Sequence, residues 1–196
     1  MSSFIGHGLI AITIFKFGDK ENNGRNEFIW LGWLMLCAFL PDVDYLFRPL
    51  QSASNDGARI THSIAASLIL PFITIIFLLL KNRRKDIKAR SVQLITAGLS
   101  HIILDALVGG KPDPLFYPLS NVVIKLPFGI LPSAGSINIF NYYLYRNLII
   151  ELGILGPVCY LLLKLRDGKL KIDKFKIVIL LIVFSGCLFW SLNLSR

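Results

Sequence analysis

SIAASLILPFITIIFLLL, residues 63–80, contains no charged side chain. At about 1.5 Å per residue, a helix of this length approaches the roughly 30 Å hydrocarbon core of a bilayer. Residues 177–195, IVILLIVFSGCLFWSLNLS, repeat the pattern. Residues 152–163 reach span length when the helix starts near Arg146 and runs through Glu151. Residues 91–108, SVQLITAGLSHIILDALV, have the length but hold His101 and Asp105, while 1–15 and 28–41 are uncharged but short. The expected fold is therefore all-α: a polytopic membrane helical bundle of about six membrane-embedded helices, the first two thinned or partly embedded. It is expected to form one domain over residues 1–196, ending in two spans within 147–195.

Composition agrees with that reading. Of 196 residues, 54% are hydrophobic and 17% charged, with a mean hydropathy of +0.62, which excludes a disordered chain, a coiled coil and a disulfide scaffold. Cys37, Cys159 and Cys187 lie in apolar runs without C-x-x-C spacing, as small core residues would. A net charge of +9 raises nucleic-acid binding as a first idea. However, 15 of the 21 Lys and Arg fall in the connections 16–27, 81–90 and 164–176, where short basic loops mark the cytoplasmic side. No nucleic-acid partner is expected. The chain is expected in the inner cell membrane as a multi-pass protein, with its basic loops cytoplasmic and both termini extracytoplasmic. A cleaved secretory signal fits poorly, because no basic residue precedes the first apolar run and no small-residue cleavage site closes it.

The connection 109–146 holds five of the nine prolines, at Pro112, Pro114, Pro118, Pro127 and Pro132. It cannot be one helix. Its apolar stretches argue against disorder, so an ordered extracytoplasmic cap is expected, one that could hold a short extended hairpin.

The chemistry sits in four polar clusters at the edges of apolar runs: Gly6-His7-Gly8, Pro41-Asp42-Val43-Asp44, Thr61-His62-Ser63, and Ser100-His101 followed by Asp105. In a six-crossing arrangement all four reach the outer side, a convergence unrelated residues have no reason to make. His101 and Asp105 are four apart and share a helix face with Gly98 and Leu94, where the glycine allows close helix approach. Together the clusters offer three imidazoles and three carboxylates, enough for one metal with an open position or two metals sharing a carboxylate. Mixed nitrogen and oxygen ligation suits zinc first, with manganese or iron as alternatives. Each cluster also has a structural reading: Thr61 as a helix N-cap, Asp42 or Asp44 capping the helix that follows, and Glu151 as a buried salt bridge to Arg146. Glu151 could equally be a ligand or support one.

These motifs, with Pro114-Leu115-Phe116-Tyr117-Pro118 and Leu126-Pro127-Phe128, resemble the YdjM-like family of bacterial membrane-bound metal-dependent hydrolases over roughly residues 5–151. The resemblance implies that His7, Asp42, Asp44, His62, His101 and Asp105, all within 5–110, are the metal-site positions. The family often has His-Arg shortly before Thr-His-Ser, whereas this chain reads Gly57-Ala58-Arg59-Ile60-Thr61, without the extra imidazole. A fainter similarity to zinc-dependent phospholipase C and single-strand nucleases hints at phosphoester chemistry.

The expected function is hydrolysis of an ester or phosphoester in a lipid or other amphiphile entering from the outer leaflet. A divalent metal would activate water, and Asp44 or Asp105, whichever is not a ligand, would accept its proton. Arg48, Arg59, Lys111, Lys125 or Arg146 would hold an anionic headgroup, and Thr61, Ser63 and Glu151 would support the ligands. No G-x-S-x-G motif is present, which disfavours a serine hydrolase. The rival expectation is a metal-ion or proton transport protein using the same His and Asp. That rival calls for polar residues along both halves of a pathway, whereas past Ser91 at its edge the inner half of 91–108 offers only Gln93 and Thr96.

Overall fold

The computed structural model describes residues 3–18, 25–45, 59–81, 86–109, 114–124, 129–133, 140–168 and 173–194. Six α-helices occur among them: α1 (Phe4–Phe17), α2 (Arg25–Phe39), α3 (Ile64–Leu80), α4 (Ile87–Val108), α5 (Tyr142–Arg166) and α6 (Lys174–Leu192). Two short 3-10 turns, Leu40–Tyr45 and Ile60–His62, lie between α2 and α3. No strand forms among the described residues, including the described parts of the Pro-rich connection.

Among the described residues, three helices are long and apolar enough to cross a membrane: α4, α5 and α6. The run at 63–80 forms a shorter helix of 17 residues, about 25 Å long. It loses length at its start, where His62 belongs to a 3-10 turn and Ser63 is the N-cap, its hydroxyl accepting the Ala66 N–H. α5 begins earlier than residue 146, because Asn141 caps it by accepting the Tyr143 N–H. α4 ends where Gly109 takes a positive φ of 65°, a conformation that disfavours a β-carbon.

The chain divides into two compact units. One comprises residues 10–103 and 111–125. Its core is Ile14, Trp30, Leu34, Cys37, Leu94 and Ala97, supplied by α1, α2 and α4. Buried Gln93 links those helices: its amide donates to the carbonyls of Ile14 and Phe15, and its oxygen accepts from Trp30 Nε1 at 3.0 Å. α3 joins α2 through Trp33 Nε1, which donates to Thr74 Oγ1. Gly98 brings α4 against α3, since a β-carbon there would stand 2.5 Å from the Ser67 carbonyl oxygen. Pro71, four residues on from Ser67, has no N–H to bond that carbonyl. The Leu115 carbonyl accepts the Ile64 N–H and so ties the Pro-rich connection to the start of α3.

The other unit comprises residues 1–9, 104–110 and 126–196. Here α5 packs on α6, with Gly153 against Cys187. α6 exposes most of its apolar side chains, Ile182 and Phe189 among them, as a lipid-facing helix does. The N–H groups of Ile130 and Leu131 donate to the Leu107 carbonyl, at 2.7 and 2.9 Å.

Candidate metal centre

Pro41 pushes the residue before it away from α geometry, so α2 stops at Phe39 and a 3-10 turn follows that carries Asp42 and Asp44. The second 3-10 turn presents His62. α4 brings in His101 from a third direction. All four side chains are buried, as is Arg59.

Within the unit of residues 10–103, three ligand-type atoms converge. His101 Nε2 lies 3.2 Å from His62 Nε2 and 3.7 Å from Asp42 Oδ1. His62 Nε2 lies 3.4 Å from the same Asp42 oxygen. Donors about 2.0–2.1 Å from a tetrahedral zinc-like ion stand about 3.3 Å from one another, so this spacing is that of a coordination shell. The other nitrogen of His101 is 2.8 Å from the Ala38 carbonyl oxygen. A carbonyl only accepts, so Nδ1 carries the proton there and Nε2 of the neutral ring presents a lone pair. α4 carries Asp105 one turn beyond His101.

Asp44 behaves differently from Asp42. Arg59 Nε donates to its Oδ2 at 2.5 Å, Arg59 Nη2 pairs with its Oδ1, and Thr61 Oγ1 is 3.2 Å from Oδ2. Both oxygens are engaged, so Asp44 does not join the convergence of Asp42, His62 and His101. Arg59 Nη2 also lies 3.4 Å from Asp42 Oδ1. Within this unit Asp42 and Asp44 bury two carboxylates against the one guanidinium of Arg59. Burying that charge excess is costly, and a divalent cation bound there would offset it.

In the unit that includes residues 1–9 and 104–110, His7 Nε2 is 4.0 Å from Asp105 Oδ1, with His7 wholly buried. Glu151 has a partner that sequence gave no means of finding. Its two oxygens accept the Ser3 N–H at 3.1 and 3.3 Å, while Ser3 Oγ accepts the Gly6 N–H. A buried carboxylate thus sits at the start of α1, where the helix dipole favours it, and Gly6 has no β-carbon to collide with it. Arg146, the partner expected for Glu151, instead donates to Asn147 Oδ1 and stacks over the Tyr143 ring.

Among the expected supporting residues, Thr61 contacts Asp44 and His62, whereas Ser63 is the N-cap of α3. Of the expected headgroup cations, Arg59 faces Asp42 and Asp44, and Arg48, Lys111 and Lys125 lie outside the described residues. The Ala38 carbonyl was not foreseeable, because a backbone acceptor 63 positions from His101 leaves no mark on residue type. A family model described as YdjM inner membrane protein matches residues 1–192. No curated protein and no solved structure matches the chain.

Proposed function

We propose that this chain, which belongs to the YdjM inner membrane protein family, is a membrane-bound metal-dependent hydrolase. Its substrate would be an ester or phosphoester of a lipid or other amphiphile, cleaved at the extracytoplasmic face. The observation that carries the reading is the convergence of His62 Nε2, His101 Nε2 and Asp42 Oδ1 at 3.2–3.7 Å, the separations expected of tetrahedral donors.

Asp42, His62, His101 and Asp105 would hold the cation, with His7 beside Asp105. Their nitrogen and oxygen donors suit zinc, and manganese or iron as alternatives. A divalent cation bound there supplies acidified water and polarises the oxygen of the scissile bond. Of the two carboxylates considered as proton acceptor, Asp105 is the better choice in an arrangement where Asp42, His62 and His101 alone hold the cation, because Arg59 and Thr61 engage both oxygens of Asp44. Arg146, near the start of α5, is the described cation proposed to meet an anionic headgroup.

A transport pathway has less support. Gln93, the buried polar side chain in the basic-loop half of α4, is held by Ile14, Phe15 and Trp30. It forms a structural link between helices. The test is hydrolysis of a panel of ester and phosphoester amphiphiles by detergent-purified protein. Chelation should abolish turnover of at least one substrate and added zinc or manganese should restore it; chelator-resistant turnover would contradict a metal-dependent hydrolase.

A further inference from the structure

The two histidines of the cluster differ in how their protons are fixed. Ala38 decides the matter for His101, since its carbonyl can only accept. His62 has a less obvious partner: its Nδ1 lies 3.1 Å from Thr61 Oγ1, which can donate or accept. The hydroxyl has one proton and two neighbours, Asp44 Oδ2 at 3.2 Å and His62 Nδ1. Asp44, paired with Arg59 through both oxygens, is an ionised acceptor. A proton placed toward His62 would leave two oxygens facing each other without a hydrogen between them. A proton placed toward Asp44 makes a charge-assisted bond, the stronger of the two. The hydroxyl oxygen then accepts from His62 Nδ1–H.

The geometry points to Thr61 as a positioning residue that, held by the Asp44–Arg59 pair, sets the His62 tautomer so that Nε2 offers its lone pair to the cation. The contacts close a ring, Arg59 to Asp44 to Thr61 to His62 to Asp42 and back to Arg59, the last link at 3.4 Å. Arg59 thereby acts on His62 through Asp44 and Thr61, and it also faces Asp42 Oδ1 itself. Without this ring, His62 could carry its proton on Nε2 and donate it across the 3.2 Å gap to His101. That alternative bond would close the site to a metal.

This inference deepens the metal reading and rests on it for its purpose, but its test separates the two. The protein has only three histidines, so ring nitrogens in uniformly 15N-labelled, metal-stripped protein in detergent can be assigned with His7→Gln and His101→Gln controls. Long-range nitrogen–proton spectra then report the His62 tautomer directly. Wild type and Thr61→Ser should show the proton on Nδ1, and Thr61→Val should move it to Nε2. Should Thr61→Val fail to fold, Asp44→Asn tests the same link, because it removes the ionised acceptor. A wild-type His62 protonated at Nε2, or a tautomer unchanged by both substitutions, would overturn the inference. Cobalt titration of the same proteins, followed by visible absorption, should show Thr61→Val weakened by about 10–100-fold and Thr61→Ser close to wild type. If His62 shows the expected tautomer but the wild type takes up neither cobalt nor zinc, the metal reading fails while the tautomer assignment stands.

Discussion

Asp42 and Asp44 are two residues apart, chemically identical and both buried, yet their surroundings differ. Asp42 turns an oxygen to both imidazoles, while Asp44 is held by Arg59 and Thr61. Asp42→Asn should therefore abolish metal binding, whereas Asp44→Asn should weaken it by about 10–100-fold; titration with zinc against a competing chelator separates the two. Arg59→Ala leaves two buried carboxylates without their cation and should cost about 3–5 kcal/mol, with Asp44→Asn in the same chain recovering part of the loss in denaturation measured in detergent. Much at this scale was legible in sequence. The spacing of His101 and Asp105, the Asp-x-Asp pair and the rarity of histidine all mark the cluster. Which way Arg59 points was not legible, because an arginine can hold a headgroup or a buried aspartate and only tertiary packing decides.

Among the helices, small residues set the distances. At Gly98 an added β-carbon meets a backbone carbonyl oxygen, Ser67 O, at 2.5 Å, and no rotamer change can relieve that contact. Gly98→Ala should destabilise the protein by about 1–3 kcal/mol, read as a lowered unfolding midpoint. It should also weaken metal binding, because α4 carries His101. Glu151→Ala removes the acceptor of the Ser3 N–H at the start of α1 and should cost about 1–3 kcal/mol. The close approach at Gly98 was foreseen from its place on the His101 face, one turn from that residue. The Ser3–Glu151 contact was not, since 148 positions separate the partners. Helix limits moved for local reasons: Pro41 ends α2, Ser63 takes the first residue from α3 and Asn141 starts α5 early.

For the molecule as a whole, hydropathy sufficed to show an all-helical membrane protein, because uncharged runs of span length have few other stable forms. Three helices among the described residues have spanning length. The division into two compact units left no trace in composition. The distribution of basic residues carries the orientation we propose. In a background lacking Cys37, Cys159 and Cys187, single cysteines at Lys85 and Lys169 should resist an impermeant thiol reagent applied outside cells, and one at Ser120 should react; reversed labelling would move the site to the cytoplasm. The most direct test of the metal centre is metal content of detergent-purified wild type beside His101→Ala, with the unfolding midpoint of each recorded with and without chelator. A metal centre predicts a stoichiometric divalent ion in the wild type, a midpoint that falls on chelation, and a folded His101→Ala protein that holds no metal and ignores the chelator. A metal-free wild type indifferent to chelator and to added zinc, manganese or iron would contradict it.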